Sequence, residues 1–134
     1  MISFVIPMKA VAKGRPRMTK TGRVYTPKKT KSWEQSVAIV ARSAYSGKPL
    51  EKPLHVTIDF VLARPKRLMR KKDDPGLIWC EKKPDIDNLI KGVLDGINNS
   101  GLWRDDALVV KLSSSKQYSE KDGLPRVEVV IVEL

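Results

Sequence analysis

Pro84-Asp85-Ile86-Asp87-Asn88-Leu89-Ile90-Lys91-Gly92-Val93-Leu94-Asp95-Gly96-Ile97-Asn98-Asn99-Ser100-Gly101 carries the clearest periodic signal in the chain. Leu89, Ile90, Val93, Leu94 and Ile97 recur at intervals that place them on one side of an α-helix, and Asn99, Ser100 and Gly101 terminate it. Pro84 disfavours helix at Lys83, so the chain arrives extended and turns helical shortly afterwards, from about Asp87 to Asn99. A helix with one apolar face must bury it against another layer.

The sequence on both sides supplies that layer. Two strands follow, at about Ala107–Ser115 and Arg126–Val132, with Gly123 and Pro125 marking the turn between them. The second alternates charge with valine as Arg126, Val127, Glu128, Val129. Upstream, Leu54–Leu62 reads as a strand. Trp33, Val37, Val40, Ala41 and Ala44 predict a helix from about Lys29 to Ala44, closed by Gly47 and Pro49. Ser3–Pro7 reads as a first strand. The order β-α-β-α-β-β predicts an α/β sandwich, with two helices packed on a mixed four-stranded sheet. No repeat, low-complexity tract or long linker divides residues 1–134, which read as one domain.

Composition narrows the partners. Lys and Arg number 26 against 15 Asp and Glu, a formal charge of +11, which predicts a polyanionic partner. A membrane is the weaker choice: no apolar run approaches the roughly 18 residues a spanning helix needs, and no basic amphipathic helix is evident. Met1–Met8 is short, broken by Pro7 and without a preceding basic region, so it reads as a strand and not as a signal peptide. Cys80 is the only cysteine and His55 the only histidine. An intrachain disulfide is impossible, which fits a reducing cytoplasm, and a zinc site from one chain lacks ligands. His55 sits inside an apolar strand pattern, where a packed imidazole is the ordinary reading, so no role is assigned to it or to Cys80.

The positive charge is concentrated. Lys9, Lys13, Arg15, Arg17, Lys20, Arg23, Lys28, Lys29 and Lys31 form one run without an acidic residue; Arg64, Lys66, Arg67, Arg70, Lys71 and Lys72 form another. Both lie in loop-like sequence, punctuated by Gly14, Pro16, Gly22 and Pro27 or bracketed by Pro65, Pro75 and Gly76. A solvated surface is the bland reading of either run alone. Together they favour phosphate contacts, from Lys13, Arg15, Arg17, Lys20, Arg23, Lys28, Lys29, Lys66, Arg67 and Arg70. Tyr25 can stack on bases, whereas Trp33 opens an apolar helical pattern and reads as core.

Against this basic background stands a group of aspartates. Asp85 and Asp87 sit at the start of the central helix, where one carboxylate would serve as an N-cap and offset the helix dipole. Only one of two alternating residues can be the cap. Asp105 and Asp106 follow the turn Ser100–Arg104, and by themselves are turn residues. A strand beginning at Ala107 that ran back beside the helix would bring Asp106 toward Asp85 and Asp87. Carboxylates gathered so closely repel one another, and a divalent cation resolves the conflict; oxygen-only ligands suit Mg²⁺ or Mn²⁺. Lys91, one turn beyond Asp87, reaches the same neighbourhood.

Pro84-Asp85-Ile86-Asp87-Asn88-Leu89-Ile90-Lys91, then Leu94-Asp95, then Leu102-Trp103-Arg104-Asp105-Asp106-Ala107-Leu108-Val109-Val110 resembles the RusA family of Holliday junction resolvases. Its pattern is D-x-D-N-x-x-K, an amphipathic helix, and a D-D pair opening a strand. Lys13-Gly14-Arg15-Pro16-Arg17 and Tyr25-Thr26-Pro27 are similar to the phage and prophage branch; the loop from Arg64 to Cys80 matches least. The resemblance implies that Asp85, Asp87 and Asp106 bind a catalytic Mg²⁺, for which Mn²⁺ substitutes. It implies further that Lys91 is required for cleavage, that Asp105 is an accessory ligand and that Asn88 supports the site by hydrogen bonding. It also implies a homodimer that cuts branched DNA at four-way junctions in recombination and repair. Two other readings fit the residues alone. One is a non-catalytic basic nucleic-acid-binding module in which the aspartates are caps and turns. The other is a Mg²⁺ nuclease preferring flaps or forks.

Overall fold

Two helices lie on a mixed sheet, as the periodicities predict, but the sheet has five strands instead of four. A computed structural model describes residues 1–14 and 17–134, with Arg17 described in its backbone only. In chain order the elements are β1 (Ile2–Ile6), β2 (Arg17–Met18), β3 (Val24–Tyr25), α1 (Lys28–Ala44), β4 (Leu54–Leu62), β5 (Ile78–Trp79), α2 (Ile86–Ser100), β6 (Val109–Tyr118) and β7 (Arg126–Glu133). The sheet order is β1-β7-β4-β6-β5, and only β4 and β6 run parallel. A separate two-stranded ribbon, β2-β3, lies within the first basic run.

The fifth strand escaped the sequence for a plain reason. β5 has two residues, pairing Ile78 with Tyr118 and Trp79 with Gln117, and two residues cannot display a period of two. The expected strand from Ala107 also starts later. Asp106–Leu108 form one 3₁₀ turn, and β6 then runs to Tyr118.

The core explains why these elements meet. Leu54, Val56, Ile58 and Phe60 of β4 and Val127, Val129 and Ile131 of β7 point to the helix side, where Trp33, Val37, Ala41, Leu89, Val93 and Ile97 bury them. Each such side chain contributes about 1.5–3 kcal/mol on burial. The two helices approach closely at Gly96: a Cβ built there would stand 2.5 Å from Val37 Cβ. Gly101 ends α2 at φ 76°, a left-handed C-terminal position that glycine adopts at least cost.

On the other side of the sheet His55, Thr57 and Asp59 alternate with the core positions and are only partly buried. His55 Nε2 lies 3.2 Å from Ser113 Oγ, and Asp59 accepts from Ser115 Oγ at 2.7 Å. Among the described residues no helix is long and apolar enough to cross a membrane.

Candidate active site

Asp85 is the backbone N-cap of α2: its carbonyl accepts from Leu89 N at 3.2 Å. Its side chain, however, makes no capping hydrogen bond, so the carboxylate is not committed to the helix. Asp87 lies in the first turn and is exposed, and among the described residues no ion pair forms to either aspartate. Two uncommitted carboxylates, one residue apart, thus stand at the positive end of a 15-residue helix. Lys116, near the end of β6, secures this corner by donating from Nζ to the carbonyl of Pro84 at 2.7 Å and to that of Lys82. Sequence reasoning gave Lys116 no part, because only the β6–α2 packing brings it here.

Asp106 does not join them within one chain. Its Oδ2 accepts from Asn98 Nδ2 at 3.1 Å, and Asn98 Oδ1 accepts in turn from the buried Trp103 Nε1 at 2.6 Å. Asn98 is eleven residues beyond Asp87 on α2, about 16 Å at 1.5 Å per residue. The expected return of Asp106 to the start of the helix is therefore corrected: β6 begins where α2 ends, and only its far end comes back, carrying Lys116. Among the described residues no three Asp, Glu, His or Cys side chains gather as metal ligands. Asp105 is committed, capping the 3₁₀ turn through Ala107 N at 3.0 Å. The side chain of Asn88 is exposed, and the backbone carbonyl of Asn88 accepts from Lys13 N at 3.0 Å.

Lys91 is exposed and pairs with Asp95, its Nζ 3.3 Å from Oδ1. The other oxygen of Asp95 is taken by Lys13 Nζ at 2.9 Å, which also holds Glu34 of α1 at 2.6 Å. Partial burial pulls the Lys13 ammonium down, but the hydrogen bonds and charges of Glu34 and Asp95 outweigh it and leave Lys13 above its ordinary value of 10.5. Lys13, expected on phosphate, is thus an internal clamp between the two helices.

The other basic residues divide. Arg15 and the Arg17 side chain lie outside the described residues. Lys20, Arg23, Lys28, Lys29, Lys66 and Arg67 are exposed, with Arg67 Nη2 3.5 Å from the Tyr118 hydroxyl. Arg70 is exposed but engaged by Asp73, whose carboxyl its hydrogen bonds hold below the usual range. Arg64 is structural, donating to the carbonyls of Leu68, Asp74, Gly76 and Ser119. Between the first basic loop and the start of α2 runs an open cleft of about 820 Å³, lined among others by Leu62, Tyr118, Lys9, Lys29 and Lys83. It reaches Pro84, directly before Asp85.

Comparison with known proteins bears on this arrangement. Residues 7–132 match the family described as endodeoxyribonuclease RusA. The chain is 36% identical over 141 residues to the uncharacterized protein YqaN of Bacillus subtilis (strain 168), covering 99% of this chain and 96% of that one. It is 24% identical over 106 residues to the crossover junction endodeoxyribonuclease RusA of Aquifex aeolicus (strain VF5), covering 78% of this chain and 71% of that one.

Proposed function

From a chain that belongs to the RusA endodeoxyribonuclease family, we propose a Mg²⁺-dependent nuclease that resolves four-way DNA junctions by paired nicks, acting as a homodimer. Family membership gives the general role, a nuclease that processes DNA. The observation that carries the finer reading is the pair of carboxylates without a partner among the described residues, Asp85 and Asp87, directly after Lys83 and Pro84, which line a cleft together with Lys9 and Lys29.

The donor set fits a hard divalent cation: the ligands are carboxylate oxygens, and among the described residues neither Asp85 nor Asp87 is engaged by a cap or a cation. Asp85, Asp87 and Asp106 would hold Mg²⁺, or Mn²⁺ in its place. When bound, such an ion supplies Lewis-acid stabilisation of charge on a phosphodiester under attack. The chain's own residues do the rest. Lys9, Lys29 and Lys83 draw the backbone of DNA along the cleft. Asn98 orients Asp106 through one oxygen and leaves the other available. Lys91 stands one turn from Asp87, where its ammonium can meet charge developing on a phosphate oxygen.

Because Asp106 lies at the far end of α2, the third carboxylate is supplied by a second copy. The edge of β6 fits that role. β5 covers only Gln117 and Tyr118, with Cys80 N adding a bond to Lys116 O. From Val109 to Ser115 the side away from β4 carries no strand among the described residues, and Val110 and Leu112 are exposed there. Two copies pairing antiparallel about Leu112 would set the start of one β6 beside the end of the other. Asp106 of one copy would then meet Asp85 and Asp87 of its partner. A two-fold dimer presents two such sites, matching the near two-fold symmetry of a four-way junction.

Cleavage of a labelled synthetic four-way junction beside linear duplex, in Mg²⁺ or EDTA, tests the reading. Symmetric nicks that require Mg²⁺ and spare the duplex are expected. Binding without cutting in any divalent metal would make this a non-catalytic DNA-binding module; faster cutting of flaps or forks would move the substrate, not the chemistry.

A further inference from the structure

We propose that Asp95 is a positioning residue that holds Lys91 away from Asp87 and so keeps the Asp87 carboxylate open to the cation; the inference rests on the metal-site reading above. Lys91 has a carboxylate one helical turn away in each direction, Asp87 before it and Asp95 after it. On an isolated helix the acid four residues before a lysine is the better partner, because that order agrees with the helix dipole. Here the lysine takes the other one, Asp95 Oδ1 at 3.3 Å.

The reason lies in the half-buried charges behind it. Among the described residues Glu34 and Asp95 face a single internal cation, Lys13, which bonds Glu34 at 2.6 Å and Asp95 at 2.9 Å. That group of three carries one net negative charge with limited access to water, the side chain of Asp95 being 20% exposed. Lys91 completes its neutralisation. Were Lys91 to swing to Asp87, the internal group would be left uncompensated, and Asp87 would meet any incoming cation already paired. Lys13 and Asp95 thus set which of the two reaches Lys91 adopts. The ammonium stays within one turn of the site without occupying it.

The test is Mn²⁺ binding followed by electron paramagnetic resonance on the full-length protein, with Asp95→Asn, Lys91→Gln and the double variant. Asp95→Asn keeps the Lys13–Glu34 pair balanced and frees Lys91 for Asp87. An exposed pair of that kind weakens Mn²⁺ binding about two-fold to three-fold. Lys91→Gln should bind Mn²⁺ as the wild type does, and the double variant should match Lys91→Gln. If the Asp95 effect persists undiminished in the Lys91→Gln background, Asp95 acts by its own charge and the proposal is overturned. Should Asp95→Asn fail to fold by circular dichroism, Lys91→Gln alone decides. Several-fold tighter Mn²⁺ binding would mean that the lysine already sits on Asp87. A wild-type protein that binds no Mn²⁺ overturns the metal-site reading and this inference with it, an outcome separate from a flat cycle in a protein that binds.

Discussion

Mixing two inactive variants tests whether the carboxylates of one site come from two chains. Asp87→Asn removes a carboxylate from the start of α2, and Asp106→Asn removes the one at its far end. In one chain those ends are about 16 Å apart, whereas oxygens sharing one small cation lie within about 4 Å of each other. Each variant alone should be unable to cut. In a mixed dimer one site collects both defects and the other collects none. Free exchange at equal concentrations makes about half the dimers mixed, each with one sound site of two, so about a quarter of wild-type nicking should return. Paired cutting should not return, since no dimer holds two sound sites. The assay is a labelled junction resolved on denaturing and native gels, with subunit exchange verified by mass-tagged chains. Nicking recovered on denaturing gels with no resolved duplex on native gels is the expected result. A mixture as inactive as its components, after verified exchange, would refute the composite site.

Four further outcomes follow from particular contacts. Asp87→Asn by itself should abolish cleavage while junction affinity, measured by gel shift, stays nearly unchanged; retained cleavage in a protein first stripped of metal would remove Asp87 from the site. Gly96→Ala gains about 1 kcal/mol of helix propensity but drives a methyl into Val37, and overpacking of about 1–3 kcal/mol should leave a net loss in thermal unfolding. Lys13→Met strands Glu34 and Asp95 and should cost about 2 kcal/mol at neutral pH, less than a fully buried pair because these groups are partly wetted. Since Lys13 is held above 10.5, that difference should persist from neutral pH up to about 10.5 and close as pH rises through the folded value; a gap undiminished in strong alkali would mean that it does not come from the Lys13 charge. Neutralising Lys28 and Lys29 together should lower the slope of log affinity against log salt by about 2, and an unchanged slope would place this face off the DNA.

What the sequence disclosed depended on how local the cause was. The stripe from Leu89 to Ile97 and the run Leu54–Leu62 announced α2 and β4, because each element is longer than its own repeat. β5 could not announce itself in two residues. Lys13 looked like its neighbours on the basic loop. Only the fold brings Glu34 and Asp95 to it and turns a phosphate ligand into a clamp. Asp106 lies away from Asp85 and Asp87 because a strand that starts where a helix stops begins at the wrong end to meet the helix start. Asn98 and Trp103, which orient Asp106, carry no sequence signal separate from an ordinary helix end and an ordinary core aromatic.

The aspartates near α2 can be ranked by what already holds them, and the ranking bears on chemistry more directly than their spacing does. Asp95 has both oxygens in ion pairs, so a cation there would have to displace two lysines. Asp105 gives an oxygen to Ala107 N, and removing it would loosen the turn that leads into β6. Asp106 gives one oxygen to Asn98, a neutral donor that aims the carboxylate without cancelling its charge. Among the described residues Asp85 and Asp87 are engaged by neither a capping bond nor a cation, although Asp85 sits where a capping bond would ordinarily form. A helix start that forgoes its own cap leaves stability unrealised, on the order of 1 kcal/mol. Among the described residues, the carboxylates of this group left unpaired are two of the three that the resolvase reading assigns to the metal.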